Sequence, residues 1–123
     1  MNGWLPIAAI NGFIAVAAGA FAAHGLEGRI DSHALEIFET AARYQMYHAL
    51  ALGLAAIALR TAPRRANISA WLFLAGIVLF SGSLYLLALT GLRAFAFVTP
   101  FGGLCFLAGW VALAYAGLKF KAG

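Results

Sequence analysis

Twenty consecutive residues, Ala70 to Leu89, carry no charged side chain. At about 1.5 Å of rise per residue, a helix of that length matches a hydrocarbon core about 30 Å thick. Three other stretches behave alike. Leu5 to Ala23 is uncharged, with Pro6 in a first turn that has no use for its missing N–H. A second span over about 40–59 has its apolar run from Tyr44 to Leu59, and a fourth covers about 95–118. The expected fold is therefore an all-α integral membrane protein, a four-transmembrane-helix bundle filling residues 1–123 as one domain. Composition agrees: 64% of the residues are apolar and 10% charged, where soluble domains run about 45–50% and about 25%. A water-soluble monomer of this size cannot hide that excess. This argues against a soluble enzyme, a disordered tail and a nucleic-acid module, and it makes the lipid bilayer the first partner.

The connections punctuate the spans. Thr61 to Ser69 reads as a polar hinge, with Pro63 in it and Ser69 as the N-cap of the third helix. Thr90 to Ala94 reads as a tight turn, with Gly91 ending a helix. The first loop holds all four acidic residues, Glu27, Asp31, Glu36 and Glu39. Helix 2 is expected from near His33 to Leu59, capped by Asp31 or Ser32 and with Glu39 paired to Arg43. Its first ten residues would lie at or beyond the membrane interface. Small residues at helical spacing mark contact faces in lipid. Ala15, Gly19 and Ala23 form one stripe, Ala51, Ala55 and Ala58 a second, and Gly109, Ala112 and Ala116 a third. Weak likenesses between Ala18–Phe21 and Ser81–Tyr85 hint at a parallel duplication without establishing it.

The net charge of +4 sets topology here rather than calling for nucleic acid. Arg60, Arg64, Arg65, Lys119 and Lys121 fall on one side and Arg29, Arg43 and Arg93 on the other, so both termini are expected in the cytoplasm, with Trp4 and Trp71 at the inner boundary. Ala20-Phe-Ala22 resembles a signal-peptidase site, yet no Lys or Arg precedes the apolar stretch, and the first span is expected to stay. The single cysteine, Cys105, and the lack of any CxxC argue against membrane thiol oxidases.

Polar residues at membrane depth are costly and by default suggest function. The candidates are His24, Arg43, Tyr44, Gln45, His48, Ser81, Ser83, Tyr85 and Thr99, nearly all in the outer half of the bundle, with His48 about one turn below the boundary and Asn11 an exception towards the inner side. Such an asymmetry fits an outward polar cap better than a pore. Each has a plainer reading as hydrogen-bond glue between helices or as a solvated face. His24 and His48 match no metal or haem spacing, and no nucleophile–base set assembles, so no catalytic residue, metal or cofactor is assigned.

Four blocks together resemble a known family. They are Gly19-Ala-Phe-Ala-Ala-His-Gly-Leu26, Phe38-Glu-Thr-Ala-Ala-Arg-Tyr-Gln-Met-Tyr-His-Ala-Leu50, Phe80-Ser-Gly-Ser-Leu-Tyr85 and Thr99-Pro-Phe-Gly-Gly103. The chain is similar in them to the domain-of-unknown-function 423 family, whose animal relatives are the transmembrane protein 256 group. The resemblance implies a small multi-pass protein of the bacterial inner membrane with no established biochemical activity. It transfers no catalytic residue, cofactor or ligand. Its motif positions include Gly25, Gly82, Pro100 and Gly102 beside His24, Tyr44, Gln45, His48, Ser81, Ser83, Tyr85 and Thr99.

Three functions follow as alternatives. The chain is a structural or accessory subunit that docks a membrane-protein partner; or it binds a lipid- or quinone-type ligand in an outward pocket around His24, Tyr44, His48 and Tyr85; or it is a small homo-oligomeric transporter. The last lacks a carboxylate buried within a span.

Overall fold

The computed structural model describes residues 3–119. Lys121, counted above for topology, lies outside them. Five α-helices run α1 Trp4–Phe21, α2 Ser32–Ala58, α3 Pro63–Gly76, α4 Ser83–Thr90 and α5 Thr99–Gly117. Two wide-turned π stretches interrupt them. Ala22–Leu26 prolongs α1, and Ile77–Gly82 joins α3 to α4 in one rod, Pro63–Thr90, of 28 residues. Among the described residues the only β feature is an isolated bridge between Glu27 and Ile30.

Local chemistry accounts for most boundaries. The Asp31 carboxylate accepts from the Ala34 N–H at 2.7 Å and caps α2, one of the two caps expected. Gly91 takes the left-handed conformation, φ 72°, that ends α4, as its position predicts. The second connection is a correction. No polar hinge extends to Ser69: α3 already starts at Pro63, whose fixed φ and missing N–H suit a first helical turn. Ser69 is no cap; it is fully buried and donates to the Gly109 carbonyl at 3.1 Å. The last connection is longer than the tight turn expected, because a 3₁₀ helix, Arg93–Phe97, separates Gly91 from α5.

Three helices are long and apolar enough to cross a membrane: Trp4–Leu26, Pro63–Thr90 and Arg93–Gly117. The remaining long helix, α2, carries the acidic residues Glu36 and Glu39 near its start and sits at the centre. It packs against α1 on one flank and against α3, α4 and the π stretch between them on the other, while α5 packs on α3. The core is built on small residues. Ala51, Leu52, Ala55, Ala56, Ala70 and Phe73 meet in its main cluster, and Ala58, Ala62, Ala66 and Ala116 close one end. Short side chains let backbones approach, the way helices hold together where lipid removes the hydrophobic drive. Two of the expected stripes hold, with Ala51, Ala55 and Ala58 buried, and Gly109 and Ala116 buried beside a half-buried Ala112. The α1 stripe is corrected at its end: Ala23 is exposed and Ala22 is fully buried. Repeated steps of four residues advance about 40° each around a 3.6-residue turn, so the contact line passes to Ala22.

Glycines decide how closely α5 approaches. A Cβ on Gly102 would lie 2.8 Å from the Leu79 carbonyl carbon and from Phe80 Cα, so the two backbones touch there. Below that contact, Phe106 lies over Gly76 and Phe73 over Gly109, a reciprocal pair of rings seated on bare backbone.

Candidate functional site

The buried polar groups concentrate on α2 and its neighbours. Gln45 projects from the middle of α2 and is buried. Its Oε1 accepts from the Tyr85 hydroxyl at 2.7 Å, and its Nε2 donates to Asn11 Oδ1 at 3.0 Å. Asn11 Nδ2 in turn donates to the Ile7 carbonyl one turn back, at 2.9 Å. This chain of bonds ties α4, α2 and α1 together, and the pairing fixes the orientation of both amides.

His48 stands one turn further along α2. The Trp110 indole N–H lies 3.1 Å from Nε2. Indole nitrogen only donates, so Nε2 accepts and the ring proton sits on Nδ1, 2.8 Å from the Tyr44 carbonyl. His48 is thereby a neutral imidazole with both nitrogens engaged. Its ring stacks on Phe106 at 3.5 Å between centroids and 5° between planes, and Phe73 lies 5.7 Å away. Two smaller ties complete the set. Ser81 Oγ donates to the Ala41 carbonyl at 2.8 Å, joining the π stretch to α2. Ser83 and Thr99 share a bond of 2.6 Å that joins α4 to the start of α5, and Ser83 also donates to the Phe80 carbonyl inside the widened turn.

Of the nine residues proposed from sequence, the structure brings Gln45, His48, Ser81, Ser83, Tyr85 and Thr99 into these ties. Tyr44 contributes its carbonyl, while its ring is partly exposed and packs on Phe80 at 4.9 Å. Two residues stay apart. His24 is exposed on the π stretch that ends the first span. Arg43 is exposed and donates to Thr40 Oγ1 at 3.2 Å; among the described residues it forms no ion pair with Glu39, contrary to expectation. The polar set is also not confined to one half of the bundle, as Asn11 and the Ser69–Gly109 and His48–Trp110 contacts reach past the middle. At the end that carries the acidic residues, a cleft of about 650 Å³ opens among Ile30, His33, Ile37, Leu87, Arg93 and Phe97, with none of the nine candidates in its lining.

Phe106 and Trp110 are members that the sequence reading did not name, while Asn11 was set apart from the cluster and Ser69 was assigned to a cap. Asn11 had a signal, since Trp4, Ala8, Asn11 and Ala15 form one buried stripe of α1. So had Trp110, whose N–H at membrane depth requires an acceptor.

The ordered small-residue faces, the polar seam and the apolar exterior fit a membrane protein, and relatives bear on which. The sequence model described as "Protein of unknown function (DUF423)" matches residues 18–103, from the upper part of α1 to the first turns of α5. The chain belongs to this family. The DUF423 match contains Gln45, His48, Ser81, Ser83, Tyr85 and Thr99. A UPF0382 membrane protein of Staphylococcus aureus is 44% identical over 120 residues, which cover 98% of each chain. A UPF0382 membrane protein of Haemophilus influenzae is 46% identical over 122 residues, 98% of this chain and 97% of its own. The UPF0382 membrane protein YwdK of Bacillus subtilis is 40% identical over 122 residues, 98% and 99% of the two chains. No solved structure matches. This DUF423 member is thus a helical membrane protein of a family with no specific activity assigned.

Proposed function

We propose that this protein is a structural or accessory subunit of the bacterial inner membrane, a single four-span domain that docks against another membrane protein. Both termini face the cytoplasm in this reading, with α2 as the fourth crossing and its acidic start standing clear of the lipid. One observation carries the proposal. The candidate residues that meet in the interior are spent on each other: Gln45 is paired at both ends of its amide, and both nitrogens of His48 have protein partners. Binding a cofactor or passing a proton through these groups would mean breaking a tie that already holds two helices together. A satisfied polar network rigidifies and specifies one packing instead. Transport by a buried carboxylate has little support, because Glu27, Asp31 and Glu36 are exposed and Glu39 is half-buried at the α1–α2 edge.

Gentle extraction into native lipid particles, followed by cross-linking and pulldown of the tagged chain, tests the reading. A stoichiometric membrane-protein partner is expected. A monodisperse particle containing this chain alone would overturn it.

A further inference from the structure

The two ends of the molecule differ in charge. The acidic side chains Glu27, Asp31, Glu36 and Glu39 all lie between the end of the first span and the early turns of α2, whereas Arg60, Arg64, Arg65 and Lys119 occupy the opposite end. No carboxylate side chain of the described residues stands at that basic end. Two of its arginines are used differently. Arg65 is committed: it donates to the Tyr115 carbonyl at 3.0 Å and its guanidinium lies 3.5 Å above the Tyr115 ring. Arg64 is exposed and has no hydrogen-bond or ion-pair partner among the described residues.

Arg64 borders a cleft of about 670 Å³ whose other walls include Trp4, Ile7, Leu59, Asn67 and Trp71. The aromatic wall is built, not incidental. Trp4 and Trp71 meet edge to face at 5.0 Å, and the Trp4 indole donates to Asn67 Oδ1 at 2.9 Å. That bond orients the Asn67 amide and leaves its Nδ2 as the remaining donor. The cleft therefore has an apolar floor of Ile7 and Leu59, tryptophans of the kind that settle at headgroup level, and a rim with a free guanidinium and an amide N–H. Among the described residues, no side chain of opposite charge lines it.

We propose that this cleft seats an anionic phospholipid of the leaflet that meets the basic end. The headgroup phosphate accepts hydrogen bonds from Arg64 and Asn67, and an acyl chain lies along Ile7 and Leu59 beside Trp71. Guanidinium and phosphate are matched in geometry as well as charge, and basic pockets between membrane helices are a recurrent setting for acidic headgroups. The proposal needs only a membrane-embedded chain, so its failure would leave the docking role above untouched, and that role has its own test.

Native mass spectrometry of the detergent-purified protein, titrated with phosphatidylglycerol or with phosphatidylcholine of the same chains, reads the site directly. Wild type is expected to retain phosphatidylglycerol preferentially. Arg64→Gln should weaken that retention about fivefold, the scale of one basic side chain at an anionic surface, Arg64→Lys should keep most of it, and Arg93→Gln, at the other end, should leave it unchanged. Millimolar inorganic phosphate should not displace the lipid; full displacement would make this a site for a free anion and overturn the proposal. Equal retention of the two lipids, or an Arg64→Gln protein that binds as wild type does, would also overturn it. A second measurement needs no change in the cleft: in a Trp110→Phe protein, phosphatidylglycerol brominated on its chains should quench Trp4 and Trp71 fluorescence more than brominated phosphatidylcholine, and equal quenching counts against the site.

Discussion

The helices α2 and α5 are similar in purpose and opposite in surroundings. Eleven of the 27 residues of α2 are buried, Gln45 and His48 among them; only four of the 19 in α5 are, and two of those are glycines. Yet α5 belongs to a strongly apolar candidate span, while α2 is not among the apolar spans at all. In water the apolar helix would be the one hidden. Here the ordering is reversed, because hydrocarbon accepts the leucines and phenylalanines of α5 and rejects the amide and imidazole of α2. Hydropathy in such a chain reports contact with lipid, and polarity reports contact with protein.

Four substitutions probe that contrast, each read by thermal unfolding of the purified protein in one fixed detergent. The greatest loss is expected from Gly102→Ala, where the new methyl meets backbone of the neighbouring rod and neither side has a flexible end to move; about 3 kcal/mol is expected. A neutral result would mean that α5 is not clamped to the π stretch. Next comes Gln45→Leu, which strands the Tyr85 hydroxyl and the Asn11 carbonyl oxygen and should cost about 2 kcal/mol. Adding Tyr85→Phe and Asn11→Leu to the same chain should recover part of it, and unchanged stability in the single variant would deny α2 its role as the inner polar helix. His48→Phe keeps a ring over Phe106 but removes the acceptor for Trp110, for about 1 kcal/mol, the range of one hydrogen bond between membrane helices. Least affected should be Leu107→Ala on the exposed face of α5, at about 0.5 kcal/mol or less. A large effect there would reveal a protein contact on that face.

Much of the fold was legible because spans announce themselves by length and absence of charge, and because Asp31 and Gly91 do local work that needs no tertiary context. The start of α3 was not. Arg64, Arg65 and Asn67 read as loop because they are polar, but a helix that begins outside the hydrocarbon tolerates polar side chains in its first turns, and Pro63 is suited to open it. At the candidate site, Gln45, Ser81, Ser83, Tyr85 and Thr99 stood out since a polar group in a span must find a partner. Which partner depends on how far one helix slides along the next, and sequence spacing within a single helix carries no record of that. Hence Trp110 went unpaired with His48, Ser69 was assigned to a cap, and Asn11 stood alone although its bond to Gln45 crosses 34 positions of chain. His24 and Arg43 were grouped with the others because they fall at the same end of the bundle, and at that end their side chains are exposed.

The widened turns at Ile77–Gly82 give the long rod two phases. Before them Ser69 bonds to Gly109 of α5 while Ala70 and Phe73 enter the main core cluster; within them Ser81 reaches Ala41 of α2, and beyond them Ser83 meets Thr99 of α5 and Tyr85 meets Gln45 of α2. Excising one residue there would restore a regular spiral and rotate everything downstream by about 100°, swinging Tyr85 away from its amide. The irregularity works like an offset between two cams on one shaft, and it keeps the rod in contact with both α2 and α5 on either side of the break.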